Sequence, residues 1–398
     1  MKQVDEWRVP VEQFSTHGIS QEEVRARQQR TRELVAARGL DALFVVGRSF
    51  YDRPGNLAYL TNHFPPFPAS VFADGMRGLG HGFLIVPVAG DPVLLADGRA
   101  YRKDMVAVAD VRVSNDLVSP LIDTFADLGL ARGRVGVAGE DILPAVVARE
   151  LMQALPELQL VPAEDILTQQ RMRKSQAEVR LLYEAAALAG TGLQAALRQL
   201  HPGRKEWDIC AAGTAAALAA GADFVRYLRV HSGPLAGQSS RWPQATDRIL
   251  APGDMVTLDI IGAWWGYQFD VLRSAVVGPP DAEQRRVLEA VLRATERVLA
   301  RVRPGVVVDE LVSLALRSLA DDGFEAYASG FVGHGIGLET VEEPYLVPGV
   351  RVVLEEGMVL CIEPSVRIPG WGGASIEQEI VVTRNGFELL TDFPARLW

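Results

Sequence analysis

Three shortages in this chain each remove a class of protein. Its only cysteines, Cys210 and Cys361, lie far apart in the sequence. They cannot form the paired framework of a disulfide-stapled domain, and each reads as a small buried apolar residue. Basic residues are outnumbered, 40 Lys and Arg against 50 Asp and Glu, for a net charge of −10 with no basic stripe. That excludes nucleic acid as the expected partner and disfavours an anionic membrane surface. No apolar run approaches the roughly 20 residues that span a bilayer. The opening MKQVDEWRVP has neither the basic end nor the apolar run of a secretory leader, so the cytoplasm is the expected location.

What remains is a chain of 398 residues, 48% hydrophobic and 23% charged. It has the composition of a globular enzyme and is too long for one core, which points to two domains. Residues 20–38 have helical spacing behind an N-cap candidate, Ser20, with Glu23 three positions on. The runs at 41–47, 81–88, 91–97 and 134–139 read as strands, and PAVVARELMQAL reads as a helix. This is an α/β domain over residues 1–165. The stretch 160–174 reads as the connection to a second domain over residues 172–398. There, Ser175 and Glu178 form a capping box that starts a long helix. Strands are expected near 224–231, 255–263 and 267–277, two amphipathic helices near 281–302 and 306–322, and a strand-rich stretch over 350–385.

The most informative segment is MVTLDIIGAWWGYQFDVLR, two apolar strands joined through a turn. A hairpin centred between Trp264 and Trp265 places Asp259 directly across from Asp270, with Cβ atoms about 4.5–5.5 Å apart on one face. Near the end of the chain the pattern repeats. MVLCIEPS and GASIEQEIVVT flank Pro369-Gly370-Trp371, and centring on Gly370 places Glu363 opposite Glu377. Four solvated, unrelated acids are the bland explanation. Two facing carboxylate pairs in strands this apolar instead call for compensating positive charge, which two divalent cations supply.

Between the hairpins lies GHGIGLETVEEPYL, with His334 among glycines. A dinucleotide loop needs G-x-G-x-x-G between a strand and a helix, and neither the spacing nor the following acidic segment fits. The glycines suit close backbone approach, which brings an imidazole to a metal.

Asp259, Asp270, His334, Glu363 and Glu377, at spacings of 11, 64, 29 and 14 residues, resemble the five metal ligands of the pita-bread (M24) metallopeptidases. That family holds Xaa-Pro dipeptidases, aminopeptidase P and the non-peptidase creatinase. LDIIGAWWGYQFDVLRS, GHGIGL…EEP, CIEPS and SIEQEIVVT carry the likeness, and RPGNLAYLTN and VLLADGR resemble the creatinase-type amino-terminal domain. The resemblance implies an α/β creatinase-like N-terminal domain followed by an α+β pita-bread catalytic domain. It implies two divalent ions (Mn²⁺, Fe²⁺, Co²⁺ or Zn²⁺), with Asp259, Asp270 and Glu377 touching both and His334 and Glu363 completing one position. It further implies a metal-bridging hydroxide as nucleophile, Glu363 as its proton shuttle, a small-molecule or dipeptide substrate, and a homodimer.

The chain also departs from that pattern. Peptidases of the family carry a histidine about eight residues after the S-G motif; SGPLAGQSSRWPQATDR has none, and Ser240 or Trp242 stands there. Val341 occupies the place of a second histidine, and Ser375 that of an arginine found in the aminopeptidase P branch. Loss of a donor to the reacting carbonyl costs about 2.7–4 kcal/mol in acyl transfer. His231, before Ser232-Gly233, is a candidate replacement. His63 and His81 belong to the N-terminal domain, which in dimeric relatives reaches a partner's site. His17 and His201 read as surface residues. Val341, Trp242, Trp264, Trp371 and Ser375 are the substrate-pocket candidates, Trp265 being a further pocket-wall tryptophan. Three functions are consistent with these residues: an Xaa-Pro dipeptidase or aminopeptidase, a metal-dependent hydrolase or lyase of a small non-peptide substrate such as dimethylsulfoniopropionate, and a binding module on a dead scaffold. Retention of all five ligands argues against the last.

Overall fold

A computed structural model describes residues 18–67, 75–98, 101–238 and 242–398. His17 and Ser240 lie outside the described residues. The chain divides into two compact units, Met1–Leu167 and Thr168–Trp398.

In the first unit the order is α1 (Gln21–Ala37), β1 (Ala42–Arg48), α2 (Gly55–Thr61), β2 (His81–Pro87), β3 (Val93–Asp97), β4 (Asp110–Ser114), α3 (Val118–Asp127), β5 (Arg134–Ala138), α4 (Ala145–Ala154), β6 (Gln159–Pro162) and α5 (Glu164–Met172), which runs into the second unit. Ser20 caps α1 by accepting the Glu23 N–H at 3.1 Å. The strands form one mixed sheet in the order β4-β3-β2-β1-β5-β6. The β1–β2 and β2–β3 pairs are antiparallel and the others parallel. Phe44, Phe83 and Phe125 centre its core, with Val147 and Leu151 from α4 packed on the same side. The stretch expected to be a plain connection thus contains β6 and α5. Their apolar residues are too few and too scattered to show a period.

The second unit contains α6 (Gln176–Leu197), α7 (Glu206–Ala219), β7 (Phe224–Ser232), β8 (Met255–Trp264), β9 (Tyr267–Val276), α8 (Ala282–Leu299), α9 (Val308–Asp321), β10 (Gly333–Gly335), β11 (Glu342–Leu346), β12 (Val359–Ile362), β13 (Ser365–Ile368), β14 (Gly372–Ser375), β15 (Gln378–Thr383) and β16 (Gly386–Leu389). The Ser175–Glu178 capping box is present at the start of α6. Strands β7-β8-β9 form one antiparallel sheet, β11-β10-β12-β15-β16 a second, and β13-β14 a hairpin.

Strand alternation sorts the side chains of both sheets into two sets. Leu258 and Ile260 of β8 and Phe269 and Val271 of β9 pack with Ala189 and Leu193 of α6. Leu360 and Ile362 of β12 and Ile380 and Val382 of β15 pack with Val298 of α8 and Leu311 of α9. The period of two therefore turns Asp259, Asp270, Cys361 and Glu379 to the opposite faces. Those faces meet: the Glu377 N–H donates to the Leu272 carbonyl at 3.1 Å, and the Asp270 N–H to Glu379 Oε1 at 2.8 Å.

Candidate metal centre

The first hairpin is not centred where the sequence suggests. Its loop is the two-residue turn Trp265-Gly266, with both φ angles positive, at 48° and 77°. A turn of that kind matches the twist of the strands it joins. Asp259 therefore pairs with Leu272 and Asp270 with Ile261, so the two aspartates are diagonal rather than directly opposed. A slip of two residues keeps the face, and both carboxylates still project together. In the second hairpin the expected register holds on both sides of the glutamates, with Ile362 opposite Gln378 and Ser365 opposite Ser375.

His334 lies on β10, opposite Cys361 of β12. Its neighbouring glycines are required by close approach: a Cβ on Gly333 would stand 2.0 Å from the Cys361 carbonyl oxygen, and one on Gly335 2.3 Å from that of Glu343. The His334 Nδ1 lies 2.9 Å from the Gly335 carbonyl oxygen. With Nδ1 donating there, Nε2 offers its lone pair to the centre. It stands 3.4 Å from Glu363, 3.7 Å from Asp270 and 3.8 Å from Glu377.

Ligand atoms of Asp259, Asp270 and Glu377 all lie within 4.8 Å of one another, and so do those of His334, Cys361 and Glu377. Burial pushes the Asp259 carboxyl up to about 6, with Arg229 pulling against it. Burial, then the neighbouring carboxylates, hold Asp270 and Glu377 well above the carboxylate range. Asp259 Oδ1 and Glu377 Oε1 are buried and, among the described residues, have no hydrogen-bond partner. Unpaired carboxylate oxygens beside an imidazole nitrogen in a dry pocket are what a divalent cation satisfies. The residues present fit such ions.

Several contributors escaped the sequence reading. Arg229 of β7, opposite Asp259, donates to its Oδ2 at 2.6 Å. Gln244 and the Tyr227 hydroxyl hold the same guanidinium at 3.0 and 2.9 Å. Glu379, opposite Cys361, completes a row of His334, Cys361 and Glu379 across three strands. Burial pushes its carboxyl up to about 8, against the Asp270 N–H and Arg273. Arg273 is fully buried and donates to the carbonyls of Glu377, Phe393 and Pro394. Cys361 is buried as expected, but within the ligand cluster rather than in plain core. Nothing in β7, which also holds Arg226, His231 and Ser232, singled out Arg229; its partner depended on a β7–β8 pairing that no local pattern specifies.

The other sequence candidates are dispersed. A cleft of about 50 Å³ opens beside Asp259 and Glu363, and Ser375 lines it. The Ser375 Oγ is spent on the Glu363 and Pro364 carbonyls, at 3.2 and 3.0 Å. Val341, Trp242, Trp264 and Trp371 are not among the residues lining this cleft. Trp242 is 83% exposed and Val341 44% exposed. Trp264 donates to Glu184 from the back of the sheet, and Trp371 packs with Val366 and Ile376. His231 is fully buried, with Nδ1 2.6 Å from the Gln238 carbonyl oxygen, and is not in the ligand cluster. His63 and His81 are buried in the first unit, and His201 is exposed. Glu342, in the acidic segment after Val341, is tied to Arg171 and to Lys174, the latter at 2.8 Å.

Similarity to known proteins extends over most of the chain. Residues 180–384 match the model of metallopeptidase family M24, and residues 27–173 that of the creatinase/prolidase N-terminal domain. The chain belongs to metallopeptidase family M24, with a creatinase-type N-terminal domain and a pita-bread catalytic domain, and is a metallohydrolase of that family. A probable dipeptidase PepE of Mycobacterium tuberculosis is 33% identical over 320 residues, 79% of this chain and 84% of that protein. An Xaa-Pro dipeptidase of Pyrococcus horikoshii is 31% identical over 254 residues, 63% of this chain and 72% of that protein. The crystal structure of dipeptidase PepE from Mycobacterium ulcerans superposes with a TM-score of 0.81 at 30% identity, covering 96% of this chain and 98% of that one. Members of the family typically bind divalent metals. Among the described residues no helix is long and apolar enough to cross a membrane.

Proposed function

We propose that this protein is a dinuclear-metal-dependent hydrolase of an Xaa-Pro dipeptide or a similar small amide. The reading is carried by one observation: His334 Nε2 stands within 3.8 Å of three carboxylates, Glu363, Asp270 and Glu377, the last two fully or nearly buried. Asp259, Asp270, His334, Glu363 and Glu377 would hold the ions, Mn²⁺, Fe²⁺, Co²⁺ or Zn²⁺. When bound, such ions lower the pKa of a water and stabilise the developing oxyanion.

The protein's own groups do the rest. Glu363 is less buried than its partners and lines the cleft. It is placed to take a proton from the attacking water and return it to the leaving nitrogen. Arg229 fixes the Asp259 carboxylate in orientation through Oδ2. The row behind the site, through Glu379, holds the Asp270 backbone in place. Val341 stands outside the cleft, so it contributes no hydrogen bond there, and polarisation of the scissile carbonyl would come from ions held by the five ligands. The protein is expected to work as a homodimer in the cytoplasm.

The test is metal analysis of the purified protein, followed by assays of Xaa-Pro dipeptides and longer Xaa-Pro peptides with each of the four ions. Bound metal together with dipeptide turnover supports the proposal. Failure to bind any divalent ion sinks it, and bound metal without peptide turnover moves the substrate to a non-peptide amide.

A further inference from the structure

The two groups of ligand atoms in the metal centre are chemically unlike. Asp259, Asp270 and Glu377 offer oxygen alone, whereas His334, Cys361 and Glu377 offer nitrogen, sulfur and oxygen. Cys361 does not point the way its neighbours do. Leu360 and Ile362, on either side of it, pack into the apolar cluster with α8 and α9. The period of two therefore turns Cys361 to the face that carries Glu363. There it is fully buried, opposite His334 on one side and Glu379 on the other. The second cysteine, Cys210, packs instead against the apolar core shared by α6, β8 and β9.

The Cys361 thiol is only weakly engaged where it stands. Its Sγ lies 3.9 Å from the Asp270 carbonyl oxygen, and a thiol is a poor donor. The sulfur lone pairs stay available. Ligand atoms of His334, Cys361 and Glu377 lie within 4.8 Å of one another, and all three residues are buried. A separate observation points to a cation at the same place. Glu377 Oε1 is buried and, among the described residues, has no hydrogen-bond partner, and it stands 3.8 Å from His334 Nε2. An unpaired carboxylate oxygen in a dry site calls for positive charge. With an imidazole and a thiol beside it, the donor set matches Zn²⁺ or Co²⁺ better than Mn²⁺. The all-carboxylate group of Asp259, Asp270 and Glu377 matches the harder ion.

We infer that Cys361 is a sulfur ligand at the His334–Glu377 position, which makes that position selective for Zn²⁺ or Co²⁺ over Mn²⁺ and leaves the Asp259–Asp270 position to the harder ion. Bond formation joins Sγ to the ion and releases the thiol proton to solvent. This deepens the proposed function, on whose metal centre it rests: it adds a sixth ligand and makes the two positions unequal in the ions they take.

The test uses the full-length protein saturated with Co²⁺, read by absorption spectroscopy without turnover. Wild type is expected to show a sulfur-to-cobalt charge-transfer band in the near ultraviolet. Cys361→Ser should lose the band at unchanged cobalt content, and Cys210→Ser should keep it. Equilibrium dialysis against mixtures of Zn²⁺ and Mn²⁺ then measures the preference between ions. Cys361→Ser should lower the ratio of Zn²⁺ to Mn²⁺ affinity by about tenfold or more. A packing role would weaken both ions by the same factor, and that result overturns the inference. So does the absence of the band in wild type, which needs no variant to fold. Protein that binds Co²⁺ without the band leaves the hydrolase reading standing, whereas protein that takes up no ion sinks both.

Discussion

The two carboxylate-bearing hairpins of the catalytic unit solve one problem in different ways. In β8–β9, Asp259 is accompanied by a built-in cation, Arg229, at 2.6 Å. Among the described residues no arginine bonds the carboxylate of Glu377, at the end of the second hairpin, and its Oε1 is left unpartnered beside His334. The first pair is thus partly neutralised by protein, while the second depends on what binds. The turns differ as well: a two-residue loop with Trp265 at positive φ shifts the first register, whereas the loop through Gly370 leaves the second where counting puts it.

If the second hairpin is the one that depends on metal, His334→Ala and Glu377→Gln should each lower metal affinity by more than about 100-fold, beyond what loss of an outer-shell partner costs. Asp259→Asn should cost clearly less, since one of its oxygens already belongs to Arg229. Equilibrium dialysis of the three variants ranks them, and an Asp259→Asn loss equal to the other two would erase the distinction.

A second contrast is in pH, between the buried acids of the catalytic unit and a buried histidine of the N-terminal unit. Glu379 sits at about 8, raised from an ordinary 4.5, and Asp259 at about 6, raised from 3.8. Folded, these groups bind protons more tightly than unfolded, so their contribution is full below the ordinary values and is lost as pH rises through 6 and 8. Metal-free protein should therefore lose thermal stability between pH 5 and pH 8, and saturating Mn²⁺ should remove most of that slope. Burial holds His63 down at about 4, from 6.5. Its unfolded form takes up the proton first, so stability falls as pH drops from 6.5 towards 4, by about 3 kcal/mol for the full shift. His63→Leu should flatten that acid limb in denaturant titrations and leave the alkaline one alone.

The smallest expected effects concern the turns. Gly266 and Gly370 both have φ near +76°, at 77° and 75°. Replacing either with alanine should cost about 1–2 kcal/mol through the left-handed backbone alone. At Gly370 a Cβ would meet nothing within 4 Å, so its unfolding midpoint reports that strain without a packing contribution.

Most of the fold and the candidate ligands were legible in the sequence because strand alternation is local. Asp259 and Asp270 sit among apolar neighbours in strict register with the core-facing Leu258, Ile260, Phe269 and Val271, and that alternation fixes the face whatever the turn does. The slipped hairpin makes the point: the centring was off by one residue, the register by two, and the carboxylates still converged. The tryptophans and Val341 illustrate the limit. Residue type and position relative to a motif suggested a pocket wall, but Trp264 hydrogen-bonds Glu184 of α6, Trp371 packs into a core, and Trp242 and Val341 stay outside the cleft.

By itself, then, the sequence determined which carboxylates and which imidazole are turned inward, since one residue's orientation follows from its neighbours. Only the tertiary structure decided what meets them there. Arg229 reaches Asp259 because β7 pairs with β8, Cys361 and Glu379 line up behind His334 because three strands share a sheet, and Arg367 joins Arg229 across two separate sheets. Those contacts join residues distant in the chain. Their energies depend on burial and on charge–charge distance, quantities that no local pattern of residues contains.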